Sequence, residues 1–123
     1  MKLEEIYSKY ALNDGETKSF KIDFSNRSCS VRLLVRKAVE KQKFQKCEIE
    51  LIFSGVINID FSEDFRTTGG FSDITFTKTF NGNYYLSLDP YGNTGEPHEN
   101  DNFIIISSSL NVTDENNEKI EVT

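Results

Sequence analysis

From position 15 onward the apolar side chains recur at every second residue. That spacing restricts the chain to half-buried β-strands, because successive side chains of a strand point to opposite faces. Only the opening residues differ. Leu3, Ile6, Tyr7 and Tyr10 fall at i, i+3, i+4 and i+7, which places one apolar stripe on a helix of about three turns, with Asn13-Asp14-Gly15 as its end. Phe20, Ile22 and Phe24 then alternate with Lys21 and Asp23, and Val31, Leu33 and Val35 with Arg32 and Arg36. Cys47, Ile49, Leu51 and Phe53 alternate with Lys46, Glu48 and Glu50.

Residues 40–44 are short enough to join the last two strands as a hairpin, and two registers keep its apolar faces together. One sets Val35 against Ile49, Leu33 against Leu51 and Arg36 against Glu48. The other opposes Arg36 to Lys46 while bringing Arg32 to Glu50. Packing and charge agree fully only in the first, which is therefore the register expected. Residues 56–61 read as a further strand, or as the same strand bent at Gly55, where glycine suits a bulge. A loop follows over residues 62–70. Ile74, Phe76 and Phe80 alternate with Thr75, Thr77 and Thr79, and Tyr84, Leu86 and Leu88 follow across Asn81-Gly82, a hairpin signal. A two-residue turn would set the second group against the threonines. One further loop residue, Asn83, aligns it with Phe80, Phe76 and Ile74, so a longer, bulged loop is expected.

Residues 89–102 contain both prolines and almost nothing to bury, which marks the principal surface loop. Residues 103–112 form a long strand, and Leu110 and Val112 return through residues 114–117 to meet Ile120 and Val122. With 123 residues the chain is expected to be one domain, residues 1–123. Its class is all-β, an antiparallel β-sandwich or open barrel of seven to eight strands with one short N-terminal helix.

Charge is divided along the chain. The first 47 residues carry 11 Lys or Arg against 6 Asp or Glu, and the remaining 76 carry 3 against 14, for a net charge of −6. That balance argues against nucleic acid or an anionic membrane as the main partner. Seven cations fall between Arg27 and Lys46, a run that ordinarily means a solvated strand face. Glu4 and Glu5 interrupt the N-terminal segment where a secretory signal would be apolar, and the longest strongly apolar run, residues 103–106, is far short of a membrane span of about 18 residues. A cytoplasmic protein with Cys29 and Cys47 as free thiols is the expectation.

Little in the chain suggests catalysis. His98 is the single histidine and sits in a polar loop between Pro97 and Glu99. Two cysteines and one histidine do not make a zinc site, and no phosphate-loop, dinucleotide or metalloprotease motif is present. The reading is a non-enzyme without cofactor. Calcium is the one metal with suitable donors, since Asp89, Asn93, Glu96, Glu99 and Asp101 offer oxygens, with Asp89, Asn93 and Asp101 as the ligand set to examine. They lack EF-hand spacing, and two prolines constrain the loop.

Ser72-Asp73-Ile74-Thr75, Tyr84-Tyr85-Leu86-Ser87-Leu88-Asp89-Pro90-Tyr91 and Asp101-Asn102-Phe103-Ile104-Ile105 resemble the C-terminal half of small uncharacterised bacterial proteins, some of which are similar to immunity proteins of bacterial toxin systems. The resemblance covers about 50 residues and carries no catalytic residue. It implies a protein-binding role. The expected surface is an acidic loop rim of Asp60, Glu63, Asp64, Glu96, Glu99 and Asp101 with Tyr91 and Phe65 as aromatic anchors for a basic protein, because acidic rims speed association and aromatics supply buried contact. The alternative is a sandwich that binds calcium or a small ligand through the 89–102 loop. Residues 103–106 would be either core or an exposed strand edge through which a homodimer forms.

Overall fold

The period-two segments become eight strands in the computed structural model, which describes residues 1–62 and 70–123. They are β1 (Gly15–Asp23), β2 (Ser28–Glu40), β3 (Lys43–Asp60), β4 (Gly70–Phe71), β5 (Thr75–Lys78), β6 (Tyr84–Asp89), β7 (Asn102–Thr113) and β8 (Lys119–Ile120). One continuous antiparallel sheet runs β4-β1-β2-β3-β7-β6-β5, with β8 added to β7. Two stacked sheets are thus replaced by the open-barrel alternative, a sheet curled into a half-barrel.

Three phenylalanines show the curl. In a flat sheet β1 and β7, three strands apart, would lie about 14 Å from each other. Yet Phe20 of β1 meets Phe103 of β7 with ring centroids 5.2 Å apart, and Phe61 contacts them at 5.2 and 4.9 Å. The concave face is lined by Val31, Leu33 and Val35 of β2, Ile49, Leu51 and Phe53 of β3, and Ile105, Leu110 and Val112 of β7, all buried. Phe53 alone would cost about 3–5 kcal/mol on truncation to alanine.

The helix α1 (Leu3–Lys9) is shorter than its apolar stripe suggests, and it packs along β5 with Leu3 and Ile6 buried. It stops because Ala11 turns left-handed (φ 48°) and the Leu12 amide bonds back to the Tyr7 carbonyl at 3.0 Å. That turn drives Leu12, fully buried, into the core. Gly15, expected to end the helix, instead opens β1.

The β2–β3 hairpin takes the other register. Val35 faces Cys47, Leu33 faces Ile49, Arg32 faces Glu50 and Arg36 faces Lys46. Its tight turn and a bulge together set this, since Glu40 pairs with Lys43 across Lys41 and Gln42, with Gln42 at a positive φ of 62°, and the ladder shifts register between Ala38 and Glu40. The cost of two facing cations is relieved from outside the hairpin by an ion pair from Arg36 to Asp14, while Arg32 meets Glu50 at 2.7 Å. Strand β3 continues through Gly55, whose φ of 60° and whose Cα facing Ser108 leave no room for a side chain. The ladder shifts register just beyond, between Val56 and Asn58.

In the β5–β6 hairpin Phe76 pairs with Leu86, as the longer loop requires, but Phe80 is fully exposed at the loop tip rather than aligned with Tyr84. Residues 103–106 belong to β7, between β3 and β6, so they form no sheet edge, and Phe103 and Ile105 are core. Val112 meets Ile120 in the last hairpin as expected. No helix among the described residues is long and apolar enough to cross a membrane.

Candidate functional site

The registers sort the polar segments into two ends of the half-barrel. Asp60 closes β3 opposite Ile104, Asp89 closes β6 opposite Asn102, and Asp23 closes β1 opposite Ser28. The turn after Asp23, the end of β3 and the 89–102 loop therefore share one end, here the loop end. The β2–β3 turn and the 114–118 turn occupy the other.

Of the expected rim, Asp60, Glu96 and Glu99 are exposed at the loop end, as is Tyr91. The Tyr91 ring, 67% exposed, stacks on His98 with centroids 4.3 Å apart and planes 13° from parallel. His98 is itself exposed, and its Nδ1 accepts the Asn100 amide at 3.0 Å. Glu63, Asp64 and Phe65 lie outside the described residues.

Asp101 is not a rim residue. It is 4% exposed, and its Oδ1 accepts the Tyr91 amide at 2.8 Å while its Oδ2 accepts the Tyr85 hydroxyl at 2.6 Å and the His98 amide at 2.9 Å. Burial alone would raise its pKa, but the bonds from Tyr85, Tyr91 and His98 prevail and hold the carboxyl below the usual range. The same contact works on Tyr85 in the opposite sense, burial first and then the Asp101 hydrogen bond pushing the phenol up. Asp101 is a latch: it folds the 89–102 loop back toward β6 and thereby sets where Tyr91, Glu96 and Glu99 stand. Next to it the buried Ser87 hydroxyl donates to the Asn102 carbonyl at 2.6 Å, securing the loop's far root.

This use of Asp101 separates the oxygens weighed for calcium. The Asp89 carboxylate accepts from the Asn102 side chain at 3.3 Å, and Asn93 lines a cavity of about 270 Å³ with Tyr7 and Asp73 beside α1. No group of three or more His, Cys, Asp or Glu suited to a metal occurs among the described residues. Tyr7 donates to Asp73 there, and burial, then that bond, raise the phenol to about 12. Cys29 is buried, its thiol pushed up to about 11 by burial, whereas Cys47 is half-buried at the opposite end. Both are free.

The structure adds residues that periodicity assigned to the core. Ile22 and Phe24 continue the Phe20 stripe but stand out at the loop end, Phe24 at 86% exposure, together with Ile57 and Phe61. Phe24 leaves the sheet because Asp23 closes a turn, accepting the Asn26 amide at 3.2 Å and its side-chain amide at 2.8 Å, with Arg27 at a φ of 48°. The run Asp23-Phe24-Ser25-Asn26 carries the turn signal that alternation obscured. The loop end consequently carries exposed apolar side chains as well as carboxylates.

No family model matches this chain, and no curated protein or solved structure is significantly similar to it.

Proposed function

We propose that this is a non-catalytic protein-binding domain that takes a basic protein on its loop end, in the manner of an immunity-type protein of a bacterial toxin system acting in the cytoplasm. One observation carries the reading. Exposed Tyr91, Phe61 and Phe24 share an end with the exposed carboxylates Asp60, Glu96 and Glu99, with Arg27 the cation of the adjoining turn, so apolar anchors and steering charge occur together. The Asp101 latch supports it by presenting Tyr91 in a fixed place before a partner arrives, which lowers the ordering cost of binding.

The test is binding to the basic product of a neighbouring gene by calorimetry. The affinity should fall steeply between about 0.05 M and about 0.5 M salt, and Asp60→Lys with Glu96→Lys and Glu99→Lys should cost about 10- to 100-fold at low salt. Binding indifferent to both salt and these charges rules the surface out. The alternative, calcium or a small ligand on the 89–102 loop, has less support because Asp101 already accepts three hydrogen bonds. A calcium-dependent rise in melting temperature would restore it.

A further inference from the structure

The β2–β3 hairpin outruns its neighbours. Pairing with β1 stops at Leu34 and pairing with β7 stops at Glu50, so beyond the buried Val35 residues 36–40 and the facing part of β3 continue as a two-stranded arm with no further strand on either edge among the described residues. Five residues at about 3.3 Å each make it roughly 17 Å long. Residues 36–46 carry five cations and one carboxylate in a chain whose net charge is −6. At the root, Arg36 and Lys37 are held by Asp14 and Glu115. Nearer the turn Lys41 and Lys43 are exposed, the latter paired with Glu40 at 3.3 Å, as are Lys46 across from Arg36 and the apolar Val39 and Phe44, Phe44 at 57%.

We propose that the arm of one molecule docks on the loop end of a second copy. This rests on the reading of the loop end as a surface for basic protein, and it names one such partner. The two surfaces are complementary in both respects that matter. Phe44 and Val39 beside Lys41, Lys43 and Lys46, with Glu40 the carboxylate among them, match Phe24, Ile22 and Phe61 on the end that carries Asp23 and Asp60, with Arg27 the cation of its turn. They sit at opposite ends of the half-barrel, so they cannot meet within one molecule. Nucleic acid fits the arm less well, because a phosphate backbone laid along it would meet Asp14, Glu16, Glu48 and Glu115 at the root. A contact between two different patches repeats head to tail, so the product is a growing chain or a closed ring.

Sedimentation velocity on the full chain at low ionic strength tests this. The average mass should rise between about 10 µM and about 1 mM protein, as expected of a weak charged interface, and return to the monomer in about 0.5 M salt. The arm variant K41E/K43E/K46E and the end variant D23K/D60K should each be monomeric alone, and an equimolar mixture should associate again, since each then supplies the charge the other lacks. A wild-type chain that stays monomeric throughout, or association that survives either reversal, overturns the proposal. The two readings separate on the foreign basic protein. The arm variant should bind it at unchanged affinity while the end variant loses it, so failure of self-association with that pattern intact removes only the head-to-tail contact.

Discussion

The 89–102 loop and the β2–β3 arm are both polar excursions from the same half-barrel, yet they are held in different ways. The loop has no ladder of its own beyond its roots and depends on one buried carboxylate that gathers the Tyr85 hydroxyl and two amides. The arm is tied at its root by the ion pairs of Arg36 and Lys37 and beyond them runs out on cross-strand pairing, from Lys37 facing Gln45 to Glu40 facing Lys43. A single-residue change should therefore collapse the loop and barely disturb the arm. Charge on the arm stays at the surface, with Lys43 paired to Glu40 and Arg36 and Lys37 to Asp14 and Glu115, whereas Asp101 has been withdrawn from solvent to build the surface on which others act.

Asp101→Ala should give the largest effect. It strands the Tyr85 hydroxyl and two amides, so a loss of about 2–4 kcal/mol in urea unfolding is expected, with faster hydrogen exchange confined to the loop. If the loss is under about 0.5 kcal/mol, the loop is not held by this latch. Tyr85→Phe removes one of the three bonds and should cost about 1–1.5 kcal/mol, again with loop exchange accelerated.

Acid titration gives a smaller signal. A carboxyl whose folded pKa is depressed contributes stability above its ordinary value of about 3.9, and that contribution disappears as pH falls through the folded value. The wild type should lose stability below about pH 4 with a slope that Asp101→Asn shares only in part, the remainder coming from Asp23, Asp114 and Glu115, whose carboxyls are also held low. Identical acid limbs for the two proteins would contradict the assignment. Lys46→Glu should do least to the fold. It exchanges a facing cation pair with Arg36 for an opposite pair and should change stability by no more than about 0.5 kcal/mol, in the favourable direction, by thermal melting.

The strands and the helix were legible because period is a local property, and the half-barrel follows once eight of them must share one sheet. The hairpin register was not, since charge inside the hairpin favours the other pairing while Arg36 finds Asp14 from the approach to β1. Alternation also overran its strands at Phe24 and Phe80, where turns carry the pattern into solvent. At the loop end, Asp60, Tyr91, Glu96 and Glu99 could be named because polar loops at strand ends are exposed. Asp101 looked the same by composition. Its burial is decided by a hydroxyl sixteen residues upstream that no spacing rule connects to it.

The contact of Phe20 with Phe103 also governs when the fold can form. The first strand must wait for a residue more than eighty positions later before the concave face is sealed, so most of the chain must leave the ribosome first. Until then β2 and β3 present bare valine, leucine and isoleucine to solvent. Folding should consequently be slow, on the order of milliseconds to seconds, and the unfinished chain is the species most exposed to aggregation.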